Sequence, residues 1–136
     1  MTVETKRIVL RWRERLVFAG GEAGGPETTI DGDNAGAPGP MLTLLLAAGA
    51  CTGADVVSIL EKMRVVLRAC RLEVSGVRRE AEPRRYTAIH FEYQLAGEGL
   101  DEAKARRAIE LSVTKYCSVI QSLAPDIQVT HGFTLA

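Results

Sequence analysis

The sequence predicts an α+β fold: one domain over residues 1–136, an antiparallel sheet packed against a long apolar helix. Three observations carry that expectation. Strand and helix patterns arrive in blocks, in the order three strands, a helix, two strands, a helix, a strand. Blocks not interleaved one for one point to an antiparallel sheet with helices on one side, not to a doubly wound sheet. The stretch PMLTLLLAAGACTGADVVSILEKMRVVLRA, residues 40–69, is the most apolar in the chain and recurs at helical spacing. A chain of 136 residues is long enough to bury one sizeable core.

The elements follow in order. Ile8, Leu10 and Trp12 alternate with Val9 and Arg11 as a first strand. Arg13-Glu14 reads as a tight connection to a second strand at Leu16–Ala19. Gly20-Gly21 and Gly24-Gly25-Pro26 turn the chain into a third strand at Glu27–Asp31. Residues 32–40, GDNAGAPGP, form a loop. Pro40 suits a helix start, because its missing N–H would have been unpaired there anyway. Leu42, Leu44, Leu45, Leu46, Ala47 and Ala48 are apolar on every side, so this part of the helix is expected to be buried all round. Gly49, Ala50, Gly53 and Ala54 then bracket Cys51, leaving little bulk around that thiol. Beyond it Val56, Val57, Ile59, Leu60, Met63, Val66 and Leu67 continue the helical spacing to Ala69.

Such a helix would be roughly 43 Å long at 1.5 Å per residue, whereas a compact monomer of this size has a radius of gyration of about 14 Å. It must break near Gly49–Gly53 or extend into a partner subunit. Leu72–Val77 is the next strand. Tyr86–Leu95 then alternates clearly, with Tyr86, Ala88, His90, Glu92 and Gln94 on one face and Thr87, Ile89, Phe91, Tyr93 and Leu95 on the core face. Asp101 is the expected N-cap of a second amphipathic helix carrying Ala105, Ala108, Ile109, Leu111 and Val113. Ser118 is expected to cap a short helix over Val119–Leu123, and Ile127–Leu135 alternates as a final strand.

Composition narrows the function. Seventeen basic and seventeen acidic residues leave no net charge, which speaks against nucleic acid or an anionic membrane as the main partner. No charged segment precedes an apolar one at the start, and the apolar run at 41–50 is too short to span a bilayer. The expected location is the cytoplasm. Three widely spaced cysteines in a reducing compartment are either buried bystanders or working thiols, not a disulfide framework. His90 and His131 form no zinc spacing with them, so no metal is expected; no bound cofactor is expected either.

Each candidate has its chemistry. Cys51 lies among Leu, Ala and Gly, where a cysteine is often just a small hydrophobe. Cys117 falls at a helix-to-helix junction, and a helix N-terminus favours thiolate. Cys70, at the end of the first helix, would meet the wrong end of the dipole and reads as structural. Arg11, Arg13 and Arg15 of the first hairpin form either a solvated strand face or guanidinium donors for a thiolate. Asp55, one turn past Cys51, could orient a group near the thiol. His90, on a polar strand face, is expected to be exposed or paired across strands.

The segments GPMLTLLLAAGACTGADVVSILEKMR, LEVSGVRREAEPRRYTAIHFEYQLAGEGLD and RAIELSVTKYCSVIQSL, in that order, resemble the OsmC/Ohr superfamily of osmotically inducible and organic-hydroperoxide-resistance proteins. The "YCSV" and "DVVSILEKMR" forms look most like its OsmC-like branch. The resemblance implies an intertwined homodimer whose central helices are sandwiched by sheets from both chains. It matches Cys51 to a peroxidatic cysteine and Cys117 to a resolving one, with an external dithiol or lipoylated protein as reductant. The family's activating arginine is matched only by Arg13 or Arg15. Its activating glutamate has no counterpart in Pro40-Met41-Leu42-Thr43.

Two functions follow. One is a thiol-dependent peroxidase that reduces organic hydroperoxides in oxidative-stress defence. The other is a dimeric small-ligand-binding or redox-sensing protein with little peroxidase activity, favoured by the missing glutamate. The first requires the sulfurs of Cys51 and Cys117 to meet.

Overall fold

The computed structural model describes residues 2–136, which fold as two compact units divided between Leu44 and Leu45. The first unit is a three-stranded antiparallel sheet of β1 (Val9–Glu14), β2 (Val17–Gly21) and β3 (Glu27–Asp31) in that order. The hairpin turns at Arg15-Leu16, two residues later than Arg13-Glu14. Arg15 takes a positive φ of 46° there, and the Trp12 indole N–H donates to its carbonyl at 2.8 Å. After β3 the loop winds around Asp31. Its carboxylate accepts the backbone N–H groups of Asp33, Ala35 and Gly36 at 2.8, 3.3 and 3.0 Å. Those donors, led by Gly36, hold its pKa below the usual aspartate value.

Helix α1 runs from Pro40 to Lys62, about 35 Å at 1.5 Å per residue. It neither breaks at Gly49–Gly53 nor reaches Ala69. Arg64, with φ 65°, ends the helical region, and β4 starts at Val66. The β-branched pair Val65-Val66 suits a strand, and β4 takes thirteen residues, Val66–Arg78, rather than the six expected. Nor is α1 buried all round. Leu45, Ala48, Gly49, Thr52, Val56 and Leu60 form one buried stripe at helical spacing, while Leu42, Leu46 and Val57 are 45%, 59% and 41% exposed. By length and composition the helix could cross a membrane, with a mean hydropathy of 1.7, which the run 41–50 alone did not suggest. Its buried stripe packs on the sheet of its own unit, where a Cβ on Gly49 would lie 2.9 Å from Val74 Cγ2.

That sheet has the order β4-β5-β6, with β5 at Tyr86–Glu98 and β6 at Gln128–Leu135. The β4–β5 pair is antiparallel as expected, but β5 and β6 are parallel. The reason is the helical crossover between them, which returns the chain to the same end of the sheet. The inner face of β5 buries Ile89, Phe91, Tyr93 and Leu95. Tyr86, expected on the outer face, is buried as well. An irregularity pairs Val77 with Ala88 and Arg78 with Tyr86, so Thr87 is the extra residue and the alternation inverts. In the crossover, α2 (Glu102–Leu111) is capped by Asp101, which accepts the Lys104 N–H at 2.8 Å. A π-helical turn (Ser112–Tyr116) and the one-turn α3 (Ser118–Gln121) follow.

Candidate active site

Two of the three cysteines meet. Cys51 sits on α1, half-buried, and Cys117 sits between the π turn and α3 with no exposed surface. Their thiols are near enough for Cys51 to raise the pKa of Cys117, although 66 positions separate them and nothing local holds them together. Cys117, not Ser118, is the N-cap of α3, and its sulfur accepts the Ile120 N–H at 3.5 Å. Those N–H groups favour thiolate, as expected of a helix start. Burial outweighs them, and with Cys51 adjacent the Cys117 thiol is pushed up to about 11. The pair is therefore asymmetric. Cys51 is the thiol that solvent and small molecules can reach.

Beside the thiols lies a polar cluster buried among apolar groups. Thr52, Ser112 and Tyr93 have no exposed surface. The Tyr93 hydroxyl donates to Thr52 Oγ1 at 3.0 Å, Thr52 Oγ1 and Ser112 Oγ are 2.7 Å apart, and Ser112 Oγ donates to Asp55 Oδ2 at 2.8 Å. Loss of water pushes the Tyr93 phenol well above its usual range. Asp55 thus does orient a group beside the thiols, and that group is Ser112. The sequence pattern places Tyr93 on the core face but assigns no site role to it, to Thr52 or to Ser112, yet a signal exists. Thr52 stands on the Ala48–Val56–Leu60 stripe and Tyr93 on the inner face of β5, and a buried polar group needs a partner.

The remaining candidates are divided between the two units. Cys70 does not end a helix; it is exposed on β4, opposite Leu95, with its thiol raised by partial loss of water. In the first unit, Arg11 pairs with Glu27, Arg13 is exposed on β1, and Arg15 pairs with Asp33 at 3.1 Å. His90 is paired across strands, with β6 Thr130 Oγ1 2.7 Å from Nδ1, and along its own strand, with Glu92 Oε1 2.8 Å from Nε2. Among the described residues no three His, Cys, Asp or Glu side chains are grouped so as to hold a metal ion.

An α+β unit that brings a half-buried thiol on its long helix against a buried thiol at a helix junction defines a two-cysteine protein. The chain belongs to the OsmC-like protein family, whose model matches residues 31–132. It is 39% identical over 125 residues to protein YhfA of Escherichia coli, covering 91% of this chain and 93% of YhfA. A hypothetical protein from Aquifex aeolicus is similar in structure, with a TM-score of 0.85 at 29% identity over 98% of this chain and 99% of that one. The OsmC like protein from Mycoplasma pneumoniae shares the fold, with a TM-score of 0.84 at 15% identity over 99% of both chains.

Proposed function

We propose that this protein is a thiol-dependent peroxidase of oxidative-stress defence, a cytoplasmic homodimer that reduces organic hydroperoxides. The observation that carries the reading is the juxtaposition of a half-buried Cys51 with a fully buried Cys117. The Cys51 thiolate attacks the distal peroxide oxygen. An S–O bond forms, the O–O bond breaks, and the alkoxide leaves as alcohol after taking a proton. Cys117, shielded from peroxide by its burial, then attacks the Cys51 sulfenic acid. The S–S bond forms as the S–O bond breaks, and the Cys117 proton leaves with hydroxide as water. An external dithiol, free or lipoyl-bound, reduces the disulfide. The apolar residues of α1 favour organic hydroperoxides over hydrogen peroxide, and Arg13 or Arg15 supplies the cation for the thiolate.

The test is dithiol consumption with cumene hydroperoxide against hydrogen peroxide. Wild type is expected to turn over cumene hydroperoxide faster. Cys51→Ser should abolish turnover, and Cys117→Ser should stop it after one equivalent. Arg13→Ala and Arg15→Ala identify the cation by which of them slows the first step. A wild type that consumes no dithiol would sink the proposal. One observation favours a second reading: the first turn of α1 carries no acidic residue to position an activating guanidinium. On that reading the dimer binds a small apolar ligand or senses redox state, and its thiols oxidise without appreciable turnover.

A further inference from the structure

We infer that the buried chain Tyr93–Thr52–Ser112–Asp55 is a positioning device that holds the π turn and thereby selects Cys117 to face Cys51. The inference deepens the proposed two-cysteine function and rests on it for its role in turnover. Proton counting fixes the direction of the chain. Each hydroxyl has one proton to give. Ser112 gives its proton to the Asp55 carboxylate at 2.8 Å, since its alternative, the Thr52 carbonyl, lies at 3.4 Å. Thr52 must then donate to Ser112, and Tyr93 donates to Thr52. The chain runs one way, from a neutral phenol to a carboxylate, with Ser112 in the middle.

Ser112 has a second role. Its carbonyl accepts the Cys117 N–H at 2.8 Å, the bond that closes the π turn. The consequence is visible in burial. The inner stripe of α2 is Ala105, Ala108 and Ile109, continued by Ser112 and Val113. At about 100° per residue, an unbroken α-helix would next bury residue 116. Instead Tyr116 is 51% exposed and Cys117 has no exposed surface. One extra residue in the turn rotates the following residue onto the core face, and such turns recur at functional sites. Without the anchor at Ser112, relaxation to α geometry would put Tyr116 inward and carry Cys117 away from Cys51.

The experiment uses the full chain with Cys70→Ser, so that only two thiols react. Oxidised dithiothreitol is the probe: its disulfide is reduced as Cys51 and Cys117 are oxidised to theirs, and the equilibrium gives their effective concentration. Ser112→Ala and Asp55→Ala are expected to lower it tenfold or more, Tyr93→Phe to lower it less, and Asp55→Asn, which still accepts from Ser112, to restore most of it. With cumene hydroperoxide, disulfide closure should slow more than tenfold relative to sulfenate formation trapped by dimedone. Should Ser112→Ala fail to fold, Asp55→Ala against Asp55→Asn decides. Wild-type effective concentrations in the folded Ala variants would overturn the inference, as would a parent that never forms the disulfide. A parent that forms the disulfide with dithiothreitol but ignores peroxide would defeat the peroxidase reading alone.

Discussion

At the scale of single residues, the two thiols differ because their surroundings do, and Cys117 shows how. Three effects compete there. Loss of water is the largest and raises the pKa, the Ile120 N–H lowers it, and the Cys51 thiol raises it again, giving about 11 against an ordinary 9.0. In Cys51→Ser the neighbouring thiol is gone but the burial remains. Cys117 should therefore titrate below its wild-type value yet still above 9, read by thiolate absorbance with Cys70→Ser in the background. Because the folded value is raised, the neutral thiol's contribution to stability is present in full below pH 9 and is lost as pH rises through about 11. Denaturation followed from pH 8 to 11 should show wild type losing stability relative to Cys117→Ala. A Cys117 that titrates at or below 9 would mean that the α3 N–H groups win. This balance was only half legible in the sequence. The helix junction in Lys115-Tyr116-Cys117-Ser118 could be read, but nothing local states that the thiol is sealed from water.

At the scale of elements, the fit of α1 on β4 depends on a missing side chain. A Cβ at Gly49 would meet Val74 Cγ2 at 2.9 Å, with Leu72 Cδ2 next at 3.5 Å. Val74 is β-branched and stiff, so it cannot swing aside without leaving its rotamer. Gly49→Ala should gain helix propensity and lose more to overpacking, a net cost of about 1–3 kcal/mol. Val74→Ala should relieve that clash, so a double-mutant cycle should show a favourable coupling of about 0.5–3 kcal/mol. Additive effects in urea denaturation would show that the helix sits farther from the strand. The same element marks where sequence reading stopped. The start of α1 and its apolar run were legible from Gly-Pro and the leucines, and β3 and the Asp101 cap were placed correctly. The end of α1 was not, because Val65, Val66 and Leu67 continue an apolar pattern that helix and strand share. The inverted face at Tyr86 was hidden for a related reason: strict alternation cannot announce an extra residue opposite Arg78. The π turn was hidden too, since its sequence, SVTKY, reads as ordinary helix until Cys117 must face inward.

At the scale of the whole molecule, each unit leaves apolar surface uncovered. In the first, Ile8, Leu10, Trp12 and Leu16 are 61%, 50%, 65% and 53% exposed along the hairpin. In the second, Leu46 and Val57 stand on the outer stripe of α1, with the small Ala50 and Gly53 between them at helical spacing. Apolar exposure on this scale marks an interaction surface, and small residues let a second backbone come close. A second copy of the chain is the occupant the proposed function requires, so the protein is expected to sediment as a dimer at micromolar concentration. An obligate interface commonly buries more than about 2,000 Å² in total, and two-fold symmetry would bury an introduced charge twice, each copy unpaired. Leu46→Arg should therefore dissociate the dimer. In the structure Leu46 is exposed and outside the buried stripe that packs on β4, so the substitution costs the isolated chain little packing. Glu102→Arg, on the exposed start of α2, serves as the charge control and should leave the dimer intact. A wild type that sediments as a monomer, or a Leu46→Arg variant that stays dimeric, would place the partner surface elsewhere.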